Sequence, residues 1–367
     1  MKKEILLNPG PVNLSSRVRR ALLRPDLCHR EPEFAELQER IRTSLLGTYK
    51  LPRRDWAAVL LTGSGTAAVE AMLTSMVPDD GRVLIIENGV YGERMTRMAE
   101  IHNIRHVRLR QQWNEPVNLE ALATAVDRNE LSHVAVVHHE TTTGRLNSLW
   151  NIARVCAGKN VPLLIDGVSS FGAEVIDFRQ WHIAACAVTA NKCLHGVPGA
   201  SFVIVNRDSL YRDKTTPRTL YLDLKKYLEQ QDAGGTLFTQ SVQCFYALDE
   251  ALQEFAAGGG REKRQRQYRK RMRIIRTGLT RLGVRPLLEE SACSCVLHAY
   301  HLPAGRTYEQ LHDALKKKGF VIYAGQGHLA RTLFRVSAMG AITDADMKLF
   351  VTAVKKIINV VSHAPLS

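Results

Sequence analysis

Two charged side chains stand where a charge is costly. Lys192 in "AVTANKCLHG" and Asp166 in "VPLLIDGVSS" each follow directly on an apolar run of strand length. A lysine whose surroundings depress its pKa becomes a nucleophile toward aldehydes and forms a Schiff base. A carboxylate at a neighbouring strand end can hold a proton on a heterocyclic nitrogen. A third group, Ser64, Gly65 and Thr66 in "TGSGTAAVEA", opens a helical pattern, where free N–H groups and two hydroxyls can cradle a phosphate. The spacing is neither a Walker A loop nor G-x-G-x-x-G, so a nucleotide site lacks support. Taken singly, these residues also read as a solvated lysine, a turn aspartate and a helix cap. Together they supply three of the contacts that pyridoxal phosphate needs.

Such groups need a common rim, and the pattern of elements provides one. From about residue 57 to 205, short apolar runs alternate with amphipathic stretches: "WAAVLLT" before "TAAVEAMLTSMV", "RVLIIEN" before "ERMTRMAEIH", "HVAVVHH" before "NSLWNIARVCAGK". "VPLLIDG", "ACAVTANK" and "ASFVIVNR" add three further strands. Near-continuous apolar strands separated by helices predict an α/β fold, with a mainly parallel sheet covered on both faces and ligands beyond the strands' carboxyl ends. After Phe238 the pattern turns to long helices broken by "GGG" at 258–260, then to strands at "CSCVLHAYHL", "GFVIYAG" and "TLFRVSAMG" and helices at "TYEQLHDALKKK" and "DADMKLFVTAVKKIINVV". That describes a smaller C-terminal α+β domain.

Composition narrows the function classes. Hydrophobic residues make up 45% of the chain and charged ones 23%, ordinary for a soluble globular protein. No segment approaches eighteen uninterrupted apolar residues, and the apolar run after the N-terminal lysines is too short for a secretory signal, so a cytoplasmic protein without membrane contact is expected. The seven cysteines form no paired framework, and Cys293/Cys295 lacks a second pair to close a zinc site; free thiols and no metal are expected. The formal net charge of +14 draws on "REKRQRQYRKRMRIIR", residues 261–276, which reads as a helix with Tyr268, Met272, Ile274 and Ile275 inward and a solvated basic face outward. No nucleic-acid motif accompanies it, so no nucleic-acid partner is expected, while the field favours anionic substrates.

The segments "LLNPGPVN", "TGSGTAAVEAML", "NGVYGERM", "VHHETTTGRLN", "LLIDGVSSFGA", "ANKCLHGVPG", "GFVIYAG" and "FRVSAMG" resemble, in that order, the motifs of class V pyridoxal-phosphate aminotransferases. Within that class the likeness is greatest to the 2-aminoethylphosphonate:pyruvate subgroup. The resemblance implies a fold type I PLP-dependent transferase: a large domain with a mainly parallel seven-stranded sheet and a smaller C-terminal α+β domain. It implies an N-terminal arm over residues 1–15 packing near the active site, a cofactor-binding domain over 16–255 and the small domain over 256–367. It also implies pyridoxal 5'-phosphate as cofactor, small anionic amine and 2-oxo acid substrates, and a homodimer with active sites at the subunit interface. By the same resemblance, Lys192 is the Schiff-base lysine and Asp166 the partner of the pyridinium nitrogen. Ser64, Gly65 and Thr66 form the phosphate cup, with Asn191 beside it. Thr141 bonds near the ring hydroxyl, Tyr91 stacks on the ring, and Thr239 reaches the phosphate of the other subunit. Arg335 clamps the substrate's anionic group, with Arg30 in "CHREPEF" as a second candidate.

Some positions depart from the pattern. "TQSVQ" lacks the proline usual after Thr239, and "IYAGQG" stands in place of "IYPGK", removing a cation near the substrate mouth. "NPGPVN" and "CHREPEF" are closer to the versions of phosphonate-biosynthetic relatives and other class V members. The implied reaction moves the amino group of 2-aminoethylphosphonate to pyruvate, giving phosphonoacetaldehyde and L-alanine, or runs in reverse. An alanine- or serine:glyoxylate exchange, a transaminase of another aminophosphonate such as phosphonoalanine, a class V sulfur lyase and a non-catalytic polyanion-binding protein stand as alternatives.

Overall fold

Runs such as "HVAVV" and "VLIIE" leave no polar face for solvent, so both sides of the strands they form must be covered. In the computed structural model, which describes residues 4–212 and 214–359, they lie at the centre of a seven-stranded sheet. The strands are β1 (Ile5–Leu6), β2 (Trp56–Gly63), β3 (Val83–Glu87), β4 (His106–Arg110), β5 (His133–Val137), β6 (His139–Glu140), β7 (Arg145–Leu146), β8 (Leu163–Asp166), β9 (Ile183–Thr189), β10 (Gly199–Asn206), β11 (Leu297–His301), β12 (Phe320–Val321), β13 (Tyr323–Ala324) and β14 (Leu333–Ser337). The helices are α1 (Ser16–Ala21), α2 (Pro32–Gly47), α3 (Gly65–Met76), α4 (Val90–Ile101), α5 (Leu119–Arg128), α6 (Leu149–Ala157), α7 (Arg207–Arg212), α8 (Leu224–Asp232), α9 (Val242–Ala257), α10 (Gly260–Arg281), α11 (Tyr308–Lys317) and α12 (Asp344–Asn359).

The large sheet has the order β2-β10-β9-β8-β5-β3-β4. The pairs from β9 through β8, β5 and β3 to β4 are parallel, and β10 alone runs against both its neighbours. β2 therefore points the same way as β9, and the carboxyl ends of β2, β3, β5, β8 and β9 share one rim. Side chains alternate between two cores with the period of two that a pleated strand imposes. Leu60, Leu84, Val136, Ile165 and Val188 join α2, α5, α6 and α9 on one face. Val59, Ile85, Ala135, Leu164 and Ala187 join α3, α4 and α8 on the other.

The seventh strand of this sheet is β4, in "HVRLR", a segment not singled out as a strand by its apolar content. It lies at the sheet edge, where one row of side chains meets solvent, and its arginines are held there by ionic contacts. Arg108 Nε is 2.9 Å and Arg110 Nε 3.5 Å from the buried carboxylate of Glu87 on β3.

The C-terminal unit packs α10, α11 and α12 around the three-stranded sheet β11-β14-β13. The N-terminal residues belong to this second core. β1 pairs in parallel with β12, and Ile5, Leu7 and Val12 are buried among Tyr268, Phe334 and Phe350. Of the spans expected for the arm and for the C-terminal domain, residues 1–3 and 360–367 lie outside the described residues. The expected boundary after residue 255 falls inside α9. The helix break is at Gly258–Gly260, where Gly259 and Gly260 adopt φ of 90° and 66°, a left-handed turn that suits glycine.

The basic helix forms as α10, but not all of its cations are on a solvated face. Arg271 is buried and donates to the carbonyls of Ala338, Gly340 (3.4 Å) and Ile342, which follow β14 and have no strand partner there. Arg264 donates to the carbonyl of Cys193 at 2.5 Å.

Candidate active site

Parallel strands bring their carboxyl ends to one edge, and the candidate residues gather there. β8 ends on Asp166, and the turn after β9 carries Lys192. β5 leads into the short hairpin of β6 and β7, whose tip holds Thr141. β3 leads into α4, with Tyr91 in its first turn, and β2 leads to Ser64 at the start of α3.

Lys192 is half-buried, and its Nζ donates to the carbonyl of Pro9. Gly10, at φ 122°, passes so close that a Cβ there would lie 2.9 Å from Lys192 Cδ. Burial depresses the Lys192 ammonium to about 8; Arg335 and Arg94 act in the same direction, and Cys193 and Asp166 oppose them. Asp166 is 6% exposed, and burial raises its carboxyl to about 6 against the Val168 N–H bond at 3.0 Å and the positive charges of Lys192 and Arg94. Glu140 is fully buried and raised to about 7, again chiefly by burial. Three ionisable groups displaced toward neutrality on one rim is the pattern of a catalytic centre.

The start of α3 is open. Ser64 occupies the cap position in extended backbone but makes no side-chain cap bond, and its carbonyl takes the N–H of Ala68, so the N–H groups of Gly65, Thr66 and Ala67 face outward as an anion site. A Cβ on Gly65 would lie 3.0 Å from the Val168 methyl groups, so glycine lets the helix approach the Asp166 turn. Arg94 completes the cradle: Nη1 is 3.4 Å from Thr66 Oγ1, and its guanidinium lies 4.7 Å from the Tyr91 ring centre. Gly65, Thr66, Tyr91, Arg94 and Asp166 line one cavity. A larger concavity, around Tyr49, Phe178 and Phe255, contains none of these groups. Asn191 accepts from Thr189 Oγ1 at 2.7 Å through Oδ1, which leaves its Nδ2 as the donor it offers.

The fit to pyridoxal phosphate is tested by an orphan. Thr141 is buried and its Oγ1 has no protein partner among the described residues. A buried hydroxyl left so costs about 1–3 kcal/mol, a penalty that a hydrogen-bonding ligand removes. His139 likewise leaves Nε2 unpaired while Nδ1 faces the Ser169 carbonyl at 2.9 Å. An uncapped helix start, an acid, a lysine with a depressed pKa and an unsatisfied hydroxyl together match the cofactor's phosphate, ring nitrogen, aldehyde and ring hydroxyl.

Arg335 lies in β14 and is 3% exposed. Its Nε donates to the Ala324 carbonyl at 2.8 Å, and Nη1 to the Thr141 carbonyl and to Gln326 Oε1, both at 3.0 Å. Arg335 thus reaches across from the C-terminal unit to the hairpin that holds Thr141. Arg30 and Thr239 do not join this group within one chain. Both are exposed, without a hydrogen bond to Lys192 or Asp166, and their segments meet each other through Thr236 Oγ1 and the His29 carbonyl at 3.4 Å.

Several participants escaped sequence reasoning. Glu140 accepts from the N–H groups of Tyr91 (3.3 Å) and Thr142 (3.1 Å) and from Thr142 Oγ1 (2.6 Å), so it fixes the start of α4 against the hairpin. Its place in "ETTTG" was the available signal. His195, at φ 64°, accepts from the Gly340 N–H at 2.9 Å and lies 2.5 Å from the Tyr268 hydroxyl. With Arg264 on the Cys193 carbonyl, α10 holds the segment just after the lysine at two points. Nothing local distinguishes Arg264 from the exposed arginines around it. Cys193 itself is buried, and all seven cysteines are unpaired. Among the described residues no cluster of His, Cys, Asp or Glu is placed to hold a metal ion, and no helix is long and apolar enough to cross a membrane.

The family model for class V aminotransferases matches residues 27–350. A 2-aminoethylphosphonate–pyruvate transaminase of Bacillus cereus strain AH820 is 32% identical over 356 residues, covering 96% of this chain and 97% of the relative. Among solved structures, an alanine–glyoxylate aminotransferase from Nostoc sp. superposes with a TM-score of 0.91 at 26% identity, covering 98% of this chain and 96% of that one. A subgroup IV aspartate aminotransferase from Thermus thermophilus gives 0.89 at 28%, covering 97% and 99%. The fold is that of the type I pyridoxal-phosphate transferases, and the chain belongs to the class V aminotransferase family and is a transaminase.

Proposed function

We propose that this transaminase moves the amino group of 2-aminoethylphosphonate to pyruvate, giving phosphonoacetaldehyde and L-alanine, with pyridoxal 5'-phosphate as cofactor. The observation that carries the reading is the meeting of Lys192 and Asp166 at adjacent strand ends with Arg335, a buried cation bonded to the Thr141 carbonyl. The 32% identity to transaminases of that name over nearly the whole chain supports the substrate.

When bound, the cofactor supplies an electron-accepting ring next to the substrate carbon. Ser64, Gly65 and Thr66 would hold its phosphate, Asp166 its ring nitrogen, Thr141 its ring hydroxyl and Tyr91 a face of the ring. Asp166, with a carboxyl near 6, is mostly ionised at neutral pH and keeps a ring proton in place. Lys192, brought down to about 8, has about a tenth of its amine neutral at pH 7 and can take a proton from the substrate carbon and return it elsewhere. Arg335 orients the substrate by its anionic end, since a guanidinium stays charged even when buried. The reading includes a homodimer in the cytoplasm, with Arg30 and Thr239 serving the partner subunit's site; their exposure here supports that.

An alanine:glyoxylate type of exchange is the second reading. The neutral Gln326 beside Arg335 favours it, because one fixed positive charge suits a carboxylate. Alanine formation from pyruvate with 2-aminoethylphosphonate, phosphonoalanine or serine as donor separates the readings. 2-Aminoethylphosphonate is expected to lead in kcat/KM by at least about tenfold, the effect of one discriminating contact. A serine-led ranking refutes the proposal.

A further inference from the structure

Arg335 has spent most of its hydrogen-bonding capacity on the protein. Nε serves the Ala324 carbonyl and Nη1 serves Thr141 and Gln326, while Nη2 has no partner among the described residues. One remaining nitrogen cannot form the two-pronged contact through which arginine usually grips a carboxylate or phosphonate. A second donor beside it is needed, and the residue adjoining Arg335 is Gln326.

The orientation of the Gln326 carboxamide follows from chemistry. A guanidinium only donates, so the atom facing Nη1 at 3.0 Å must be the carbonyl oxygen. Thr142 Oγ1 stands 3.4 Å from the same oxygen. The amide nitrogen is thereby turned away, with both hydrogens unshared within the described residues. The turn that carries it is pinned. Gly325 N–H donates to the Leu333 carbonyl at 2.8 Å, and the ring of His328 lies 4.4 Å from that of Trp113. Gly327, at φ 52°, approaches Trp113 so closely that a Cβ would fall 2.5 Å from its ring. Trp113 Nε1 in turn donates to Glu93 at 3.2 Å, in the same first turn of α4 as Tyr91.

We propose that Gln326 is a specificity-determining residue of the substrate pocket. Its amide nitrogen completes, beside Arg335 Nη2, the contact to the substrate's anionic end, and because it donates without charge it tunes the site between singly and doubly charged groups. This rests on Arg335 being the substrate clamp of the proposed function.

The test uses holoenzyme and two probes that cannot react, methylphosphonate and acetate, titrated at pH 8 and read by the change in cofactor absorbance. Gln326→Leu should weaken both probes by about tenfold, the worth of one hydrogen bond to a charged group. Gln326→Lys should raise the preference for methylphosphonate over acetate by about tenfold, since the phosphonate is doubly charged at that pH. Cofactor absorbance equal to wild type shows that each variant has folded and loaded. If Gln326→Leu binds both probes as tightly as wild type, or if Gln326→Lys leaves their ratio unchanged, the inference is overturned. A wild-type enzyme that ignores 2-aminoethylphosphonate while the two variants bind the probes as expected overturns the proposed substrate and leaves Gln326 in its role.

Discussion

The two walls of the site are built in different ways. The wall proposed for the cofactor comes from the large sheet: Asp166 ends a strand, Ser64, Tyr91, Thr141 and Lys192 lie within four residues after one, and strand direction carries them to one rim. The wall proposed for the substrate comes from the C-terminal unit, where Arg335 sits within β14 and Gln326 in the turn before it, and these reach the rim only because that unit docks on the hairpin of Thr141. The walls differ in electrostatics as well. The cofactor wall holds groups that titrate near neutrality, Asp166 at about 6, Glu140 at about 7 and Lys192 at about 8, whereas the substrate wall holds a guanidinium and an amide that do not. Proton transfer needs the first kind of group, and fixed recognition of an anion needs the second.

The division predicts which kinetic constant each variant changes. Lys192→Ala removes the group proposed to move the proton, and kcat is expected to fall by at least about 10³-fold with substrate binding largely retained, as measured by single-turnover alanine formation. Substantial turnover in that variant would falsify the assignment of the cofactor wall. Arg335→Lys keeps a charge but loses the planar fork, so KM for the anionic substrate should rise by about 10- to 100-fold, with a smaller change in kcat. A loss confined to kcat would merge the two walls into one catalytic unit.

The smallest effect is on stability and sharpens the electrostatic contrast. Glu140 has a folded pKa near 7, raised from 4.5, so the folded state holds its proton longer than the unfolded chain does. Its contribution is therefore complete below pH 4.5 and is lost as pH rises through 7. Glu140→Gln cannot titrate, and relative to wild type it should gain about 2 kcal/mol between pH 5 and pH 8 in urea unfolding of the cofactor-free protein. The same comparison for Gln326→Leu should be flat with pH. A flat Glu140→Gln difference would show that this carboxyl is not buried as a neutral acid.

Legibility in the sequence follows the same division. Lys192 and Asp166 stood out because a charge three residues after "CAVT" or directly after "LLI" falls at a strand end that offers no solvated face. The basic residues of the C-terminal unit offered no such contrast. Residues 260–367 carry 20 Lys and Arg against 7 Asp and Glu, whereas residues 1–259 carry 30 against 29. In that background Arg264 and Arg271, which hold backbone carbonyls, look the same as Arg266 and Arg269, which are exposed. The edge strand β4 was hidden for a related reason: its arginines alternate as a half-solvated edge allows, so the apolar run that marks the central strands is missing.

What the amino-acid sequence determined by itself was most of the sheet and the gathering of Ser64, Tyr91, Thr141, Asp166 and Lys192 at its rim. Apolar runs of strand length separated by amphipathic helices admit one economical arrangement, and a residue placed just after such a run is carried to the rim by connectivity alone. What only the tertiary structure decided was the surroundings of Arg335 and the support of the lysine turn. The Arg335 bond to the Thr141 carbonyl, the Gln326 bond to Arg335 and the Arg264 bond to Cys193 were settled by packing. The first and last join segments far apart in the chain, and the middle one forms across a turn whose course Trp113 sets. Hydrogen bonds of this kind are formed by whichever donors the docking of two cores leaves facing unpaired acceptors, and no local pattern encodes that meeting.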